Sequence, residues 1–433
     1  MSANPGYGQF MRGVQLLRLR RYPDAEAAFR EGLARDPENG MLLHRLAVAQ
    51  FHQEGKEKEA LATIERAIGC DPSEADLHAF RALILSNLGR GKEALVAADE
   101  AISLDPESAI AFSVKAGALL RLGRHPEAET AAREALACDP DNSDAATILS
   151  HALRIQGKSA ENEAQIATML ARDPEDDANH TAAGWQALQH GERGKAQEHF
   201  LEALRLNPGS EIAREGLLEA FKARSPLYSG YLKWVFWMAS HSRQRQWAII
   251  IGFYILARVF NSLRGTAYAT AGMVGMAIYW LFVLWVHVAR GVGNFLVLCD
   301  RFARHALNRM EKVEAAVVGG GVVTGLVLLA TVMGGKFFMP PSWEDTKEIL
   351  LIAGGTLIGA SFPFAHTFTN DAPVGRWIMG AAGAFVLLAG TMICAAIAIG
   401  HEGFGKFAMA LLIPALITVA LSTVLPNFRF FRR

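Results

Sequence analysis

Cysteine is scarce in this chain of 433 residues, and it is never clustered. The four cysteines are Cys70, Cys138, Cys299 and Cys394, with no Cys-x-x-Cys pair and no histidine at ligand spacing. Disulfide frameworks and zinc sites need such clusters, so the sequence predicts neither. Scattered thiols are typical of a reducing compartment.

Signals for export and for nucleotide binding are missing as well. The first fifteen residues, MSANPGYGQFMRGVQ, contain no apolar core of signal-peptide length, so we expect the N-terminal half to stay in the cytoplasm. Residues 319–321 are Gly-Gly-Gly, but no Lys-Ser or Lys-Thr follows them, which excludes a phosphate-binding loop. We also find no Asp or Glu midway along the long apolar segments, and coupled transporters usually need such groups.

Charge is distributed unevenly along the chain, although the net charge is zero. Residues 1–224 hold 26 Lys and Arg against 35 Asp and Glu, a net of −9. Residues 225–433 hold 17 against 8, a net of +9, and contain the long apolar runs. The chain is therefore predicted to have at least two domains in different surroundings.

The first half has a fixed period. Six Asp-Pro or Asn-Pro pairs recur at spacings of 35, 34, 34, 34 and 34 residues. They begin at Asp36, Asp71, Asp105, Asp139, Asp173 and Asn207. Each unit also has a turn position, occupied by Arg20, Gly55, Gly89, Gly123, Gly157 and Gly191. Proline stops a helix and glycine permits the positive φ of a turn, so each unit predicts two antiparallel helices.

Small residues mark the packing face of the second helix in each unit. They are Ala25, Ala60, Ala94, Ala128 and Ala196, and Asn162 interrupts the series. The segments RYPDAEAAFREGLARDP at 21–37 and GKEALVAADEAISLDP at 91–106 resemble the tetratricopeptide repeat (TPR) family. The resemblance covers six repeats, from about residue 4 to 208. It implies an all-α solenoid over 1–224, with a capping helix at 210–224 and a concave, peptide-binding face lined by the first helices.

Eight side chains are candidates for binding a partner on that concave face, at the positions that the resemblance assigns. They are Arg18, Arg45, His52, Asn87, Arg121, His151, Arg154 and Trp185. Co-chaperones of the family hold a C-terminal carboxylate with Lys and Asn, and no such set is present here, so a chaperone-tail clamp is not expected. Two interpretations stay open. The arginines are solvated surface, or they bind an acidic or extended peptide with Trp185 as an aromatic platform.

Three histidines share one repeat position, twenty-eight residues before the proline: His44, His78 and His180. Stacked repeats place equivalent positions about one helix pair apart, which is too far for the ligands of one metal ion. We therefore expect these rings to pack and cap the first helices, and we expect no metal and no cofactor.

Aromatic residues mark the boundary between the halves, at 225–246. The segment LYSGYLKWVFWMAS at 227–240 is too short to cross a bilayer and predicts an interfacial helix. Residues 247–433 predict an α-helical multi-pass transmembrane domain of about six spans. The spans lie near 247–263, 268–288, 315–335, 349–366, 377–399 and 407–425. The whole arrangement resembles bacterial membrane-bound TPR proteins.

Basic residues orient the predicted membrane domain. Six spans place twelve Lys and Arg on the side of the repeats and five on the other, so both termini are expected in the cytoplasm. Residues 289–314 carry apolar side chains at helical spacing and predict a basic amphipathic helix on the anionic inner leaflet, with the acidic repeats as its alternative partner. The predicted membrane-surface residues are Lys233, Arg243, Arg245, Arg301, Arg304, Arg309 and Lys312.

Glycine motifs in the spans predict close helix packing. GVVTG at 321–325 and GTLIG at 355–359 let helices approach within the chain or between copies. The sequence GAS at 359–361 resembles the nucleophile span of rhomboid intramembrane proteases, in which the serine pairs with a histidine on the sixth span. Segment 407–425 contains no histidine, and His401 precedes it, so we expect no catalytic residue and a packing role for Ser361.

These patterns predict a non-enzymatic, membrane-anchored scaffold that binds a protein or peptide at the cytoplasmic face of a bacterial membrane. No nucleic acid is expected as a partner, and the Gly-rich spans allow a homo-oligomer. The alternative is a multi-pass transporter or channel with regulatory repeats. A rhomboid-like protease is the remote alternative.

Overall fold

The structure, a computed structural model, describes residues 7–241, 243–263, 268–335, 344–370, 372–400 and 402–422. Within these ranges the chain is helical and forms no strand, which confirms the predicted all-α fold class. The chain divides into two compact units. The first unit consists of residues 1–190, 201–210 and 236–243, and the second of residues 191–200, 211–235 and 244–433.

Consecutive helix pairs build the repeat region. The helices are α1 (Tyr7–Arg18), α2 (Tyr22–Leu33), α3 (Gly40–Phe51), α4 (Glu57–Cys70), α5 (Ala75–Asn87), α6 (Gly91–Leu104), α7 (Ala109–Arg121), α8 (His125–Cys138), α9 (Ser143–Ile155), α10 (Ser159–Arg172), α11 (Asp177–His190) and α12 (Arg193–Leu206). The second helix of each pair ends at or just before the Asp-Pro or Asn-Pro dipeptide, because proline disfavours helix in the residue before it.

The turn between the two helices of a pair uses the left-handed backbone conformation that the sequence predicts. The five turn glycines have φ between 71° and 81°. Arg20, which replaces glycine in the first repeat, has φ 55° and is the one described non-glycine residue with a positive φ. The five predicted packing alanines are fully buried, at 0% exposure.

Asn162 interrupts the alanine series because it forms buried hydrogen bonds of its own. Its side chain is 0% exposed. Ser150 Oγ donates to Asn162 Oδ1 at 2.7 Å, and Asn162 Nδ2 donates to Gln186 Oε1. A polar side chain is tolerated at this position because partners on the flanking helices satisfy its donor and its acceptor.

The second unit contains a longer set of helices. They are α13 (Glu211–Lys222), α14 (Pro226–Ala239), α15 (Arg243–Ser262), α16 (Ala269–Cys299), α17 (Arg309–Glu314), α18 (Gly320–Gly335), α19 (Glu344–Thr369), α20 (Pro373–Ile399), α21 (Glu402–Ala410) and α22 (Leu412–Ser422). A 3-10 turn (Ala303–His305) precedes α17, and a π turn (Ala315–Gly319) joins α17 to α18.

Four helical segments in the described residues are long and apolar enough to cross a membrane. They are Ala269–Cys299, Arg309–Gly334, Asp345–Thr369 and Pro373–Ile399. Two of the six predicted spans are not in this group. Segment 247–263 lies in α15 except for its last residue. Segment 407–425 is divided between α21 and α22, with its last residues outside the described part.

Residues 289–314 do not form the single amphipathic helix that the sequence predicts. Residues 289–299 continue α16, and the helix then breaks at Asp300. The Asp300 carboxylate accepts hydrogen bonds from the backbone N–H groups of Phe302 and Ala303, which favours a turn over a continued helix. Asn308 starts α17 with a capping box to Glu311.

The predicted boundary segment forms α14, and part of its aromatic surface contacts other helices. Tyr228 and Leu232 of α14 are buried, and the Trp234 ring contacts Phe253 of α15 and Phe282 of α16 at centroid distances of 5.7 and 5.1 Å. The aromatic side chains of this part of α14 therefore pack between helices.

Candidate peptide-binding groove

The eight predicted partner-binding residues lie on or just after the first helices of their pairs. Arg18, Arg45, His52, Asn87, Arg121 and His151 are exposed, and Arg154 and Trp185 are half-buried. The structure brings Arg154 and Trp185 together, with the guanidinium 5.7 Å from the centre of the indole ring. His52 instead stacks on Tyr22 of α2, at a centroid distance of 4.8 Å.

The four predicted groove arginines differ from the arginines on the second helices. Arg18, Arg45, Arg121 and Arg154 have no carboxylate within 4 Å among the described residues. By contrast, arginines of the second helices or the turns before them pair with carboxylates of their own surface. These include Arg21 with Asp24, Arg30 with Glu26, Arg90 with Glu93, Arg124 with Glu127 and Arg133 with Glu129. Among the described residues these four arginines thus lack a carboxylate partner in a region of net charge −9, whereas Arg81 and Lys115, also on first helices, pair with Glu100 and Asp99.

Unpartnered polar atoms lie along the same face of α11 as Trp185. Thr181 Oγ1 and Gln189 Oε1 are buried and have no hydrogen-bond partner in the described part of the chain. Residues 181, 185 and 189 follow one helix face at intervals of four. Gln189 Nε2 also donates to the carbonyl oxygen of Arg154 at 3.4 Å. Thr181 and Gln189 also occupy groove positions by their place in the repeat, although the predicted set of eight does not include them.

The protonation states of two groove residues follow from their surroundings. Although His151 keeps exposed surface, desolvation by neighbouring groups, together with the charges of Arg154 and His125, lowers the pKa of His151 to about 4, so the ring is neutral at pH 7. Burial lowers the pKa of Arg154 to about 10, which leaves the guanidinium charged at pH 7. The groove therefore presents a fixed positive charge beside a neutral imidazole and an indole.

The three histidines that share one repeat position, His44, His78 and His180, contact neighbouring loops and rings. His78 Nε2 lies 3.0 Å from the Pro72 carbonyl oxygen, and His180 Nε2 lies 3.0 Å from that of Pro174. The His44 ring packs on Phe80 at a centroid distance of 5.6 Å. No three metal-ligating side chains lie together in the ranges that the structure describes.

The predicted membrane-surface residues whose side chains the structure describes are exposed, but they do not share one helix. Lys233 lies on α14 and Arg245 on α15, and Arg301 and Arg304 lie in the turn after α16. Arg309 and Lys312 lie on α17, and the Arg243 side chain lies outside the described residues. Exposed apolar side chains accompany this turn, with Phe302 at 85% and Met310 at 60% exposure. A short turn and a six-residue helix thus carry the basic cluster.

Ser361 lies in helix packing. It is 1% exposed, and its hydroxyl donates to the carbonyl oxygens of Leu357 and Val318 at 2.8 and 3.4 Å. The hydroxyl proton is thus directed at backbone oxygens, as expected of a hydroxyl that joins α19 to the π turn.

Comparison with known proteins supports the repeat assignment. Residues 10–75 and 81–143 match the tetratricopeptide repeat family model, which confirms TPR repeats in these segments. No curated protein matches the chain. Similar solved structures include PilF of Pseudomonas aeruginosa, with 19% identity, coverage of 51% of this chain and 98% of that one, and a TM-score of 0.41. Others are PilW, a type IV pilus biogenesis factor (19% identity, 49% and 98% coverage, TM-score 0.43), and YrrB, a TPR protein with an unusual peptide-binding site (20% identity, 43% and 96% coverage, TM-score 0.32).

Proposed function

We propose that this protein is a membrane-anchored TPR scaffold that binds an acidic, extended peptide or protein segment on the first helices of its repeats. The observation that carries the proposal is the set of four groove arginines without internal counter-ions. An acidic ligand supplies the missing carboxylates, and guanidinium groups bind carboxylates in bidentate geometry. Trp185 adds a rigid aromatic surface beside Arg154.

Contacts within the second unit support a membrane domain of six crossings. Arg214 of α13 donates to the Ala306 carbonyl oxygen and to Glu311 Oε2, both at 2.9 Å. This contact requires α13 and residues 306–311 to lie on the same side of the membrane. The chain between them, which contains α15 and α16, therefore crosses the membrane an even number of times. α16 is long enough for one crossing, so α15, with 20 residues, is assigned the other. The last crossing is assigned to α21 and α22.

The orientation follows from charge. The turn with Arg301, Arg304, Arg309 and Lys312 then lies on the same face as α13, and the positive-inside rule assigns that face to the cytoplasm. We therefore propose that the repeats and both termini lie in the cytoplasm, and that the membrane is a bacterial cytoplasmic membrane, as the resemblance to bacterial membrane-bound TPR proteins implies.

Peptide binding to the full-length protein in detergent tests the proposal. A fluorescent Glu-rich peptide is expected to bind the wild type, and Arg121→Glu with Arg154→Glu is expected to weaken binding at least tenfold, about the effect of losing two charged contacts. The matched control is Arg35→Glu with Arg66→Glu, which changes the net charge equally in the turn after α2 and on α4, away from the groove. Equal weakening by both double variants would assign the effect to net charge and reject the groove.

A transporter or channel is the second candidate, favoured by polar groups buried in the helical bundle. The rings of His287 and His366 lie 5.4 Å apart, and Asn294 and Glu314 are 1% and 2% exposed. Reconstituting the full-length protein in vesicles tests this candidate. Solute flux without any peptide binding would favour it over the scaffold.

A further inference from the structure

Glu314 is buried at the end of α17, directly before the π turn. Its exposure is 2%, and that of Asn294 on α16 is 1%. Asn294 Nδ2 donates to Glu314 Oε2 at 3.0 Å. Arg290 Nε lies 3.6 Å from the same oxygen, and its side chain is 46% exposed. One oxygen of the carboxyl is thus occupied by an amide and a half-solvated guanidinium.

The second oxygen of the Glu314 carboxyl and the oxygen of the Asn294 amide have no partner. Glu314 Oε1 and Asn294 Oδ1 are buried, and neither has a hydrogen-bond partner among the described residues. An ionised carboxylate and an amide oxygen are both acceptors, so neither satisfies the other. Unsatisfied buried acceptors are rare in folded proteins because they are costly. The π turn that follows is a type of irregularity often found at functional positions.

We propose that Glu314 is a proton-binding site that holds a proton on Oε1 and donates it to Asn294 Oδ1. The carboxylate takes the proton from a hydronium ion, so one O–H bond forms at Oε1 while one O–H bond of the hydronium breaks and a water molecule is released. A carboxylic acid beside an amide forms two hydrogen bonds in one ring, with N–H to Oε2 and O–H to Oδ1. One proton therefore satisfies both unpartnered oxygens and removes a buried negative charge.

Of the charged groups around Glu314, only the half-exposed Arg290 forms an ion pair with it among the described residues. Lys222 of α13 is bound to Glu219 at 2.8 Å, and Glu311 of α17 is bound to Arg214 at 2.9 Å. Arg290 of α16 is the remaining cation, and water has access to it.

The other elements packed nearby bring neutral titratable groups. From α14, Tyr228 donates its hydroxyl to Glu219 Oε2 at 2.8 Å. From α19, the His366 ring faces His287. The described part of α18 contributes no ionisable side chain. The proton thus joins α16, which carries Asn294, to α17, which carries Glu314.

Thermal unfolding of the full-length protein in detergent tests the site with three variants. Glu314→Gln is expected to keep the wild-type unfolding midpoint, because the glutamine amide supplies an N–H donor in place of the carboxyl O–H. Glu314→Ala is expected to lower the midpoint. The matched control Glu311→Gln is also expected to lower it, because it breaks the pair with Arg214. If Glu314→Gln lowers the midpoint as much as Glu311→Gln does, Glu314 is a paired carboxylate and the proposal is wrong. The same conclusion follows if Glu314→Gln is the one variant of the three that fails to fold.

Infrared spectroscopy gives a second readout that packing alone does not affect. A protonated carboxyl has a C=O stretch distinct from that of a carboxylate. The wild type at neutral pH is expected to show this band, Glu314→Gln to lose it, and Glu311→Gln to retain it. A wild-type spectrum without a band that disappears in Glu314→Gln would overturn the assignment.

Discussion

The guanidinium of Arg154 lies over the indole ring of Trp185, 5.7 Å from its centre, and no carboxylate of the described chain lies within 4 Å of it. The ring orients the guanidinium without neutralising its charge, so the N–H donors stay available to a ligand. We therefore expect this pair to be the strongest contact point for an acidic segment.

Removing the ring tests that expectation. Trp185→Ala is expected to weaken binding of a Glu-rich peptide about fivefold, since a cation–π contact contributes about 1 kcal/mol. Trp185→Phe keeps a ring face and is expected to retain most of the affinity. Fluorescence anisotropy with the full-length protein measures both. Equal affinities of the wild type and Trp185→Ala would exclude the indole from the binding site.

Peptide binding is expected to be insensitive to His151 protonation near neutral pH. Because folding lowers the pKa of His151 to about 4 from 6.5, the ring gains its charge only as the pH falls through about 4. A histidine with the ordinary pKa would strengthen binding of an acidic peptide as the pH falls below 6.5. Affinity profiles of the wild type and His151→Gln are therefore expected to coincide between about pH 5.5 and 8. A rise in the affinity of the wild type on acidification within this range, if His151→Gln abolishes it, would contradict this expectation.

Glu129 is expected to stabilise the contact between the fourth and fifth repeats. Its carboxylate accepts hydrogen bonds from Lys158 and Gln156 at 2.8 Å and from Arg133 at 3.0 Å, and its side chain is 10% exposed. Glu129→Ala is expected to cost about 2 kcal/mol, because charged hydrogen bonds are lost from a buried site. Glu127→Ala is the matched control on the same helix, and little change is expected there because its partner Arg124 and the carboxylate are both exposed. Hydrogen exchange of α8–α10 measures both effects.

The same contact sets a dependence on pH. Burial acts to raise the pKa of Glu129, but hydrogen bonds from Lys158, Gln156 and Arg133 outweigh it and hold the pKa below the ordinary 4.5. The stabilisation is therefore complete above pH 4.5 and is lost as the pH falls through the lower, folded value. Protection of α8–α10 in the wild type is expected to fall on acidification, and less so in Glu129→Ala. An equal loss of protection in the wild type and in Glu129→Ala would assign the acid sensitivity to other groups.

The repeat region was predictable from the sequence because its signals are local. An Asp-Pro pair ends the second helix of a repeat, and a glycine forms the turn between the two helices of a repeat. Each signal recurs with the period of the fold. Arg20 was placed correctly by period alone, although arginine rarely adopts a positive φ.

The region after α16 was predicted less well because two patterns compete there. Residues 289–314 keep a helical apolar spacing, yet Asp300 and Asn308 use their side chains to bind backbone N–H groups and divide the segment. Asn308 with Glu311 is a capping-box signature that marks the start of α17. The Arg154–Trp185 contact was only partly predictable, since residues 31 positions apart meet through the stacking of repeats.

Native cysteines offer a test of the proposed membrane crossings. Cys70 and Cys138 lie in the repeats, and Cys299 lies at the end of α16; all three are exposed. A membrane-impermeant maleimide is expected to label all three from the cytoplasmic side. Tyr268→Cys, placed between α15 and α16, is expected to react from the opposite side. Labelling of Cys299 and Cys70 from opposite sides would exclude the crossing by α15.

Substitution by alanine is expected to affect stability differently at two glycines, Gly325 of α18 and Gly355 of α19. A Cβ on Gly325 would lie 2.7 Å from the Gly354 carbonyl oxygen, so the two helices touch through their backbones. Gly325→Ala is expected to separate them and lower the unfolding midpoint of the full-length protein, because backbone atoms cannot move aside as a flexible side chain does. Gly355 has nothing within 4 Å of the equivalent position, and Gly355→Ala is expected to be neutral or slightly stabilising, since alanine favours helix. Size-exclusion chromatography of Gly355→Ala completes the test. Dissociation of an oligomer in that variant would assign Gly355 to a contact between copies and contradict the neutral outcome.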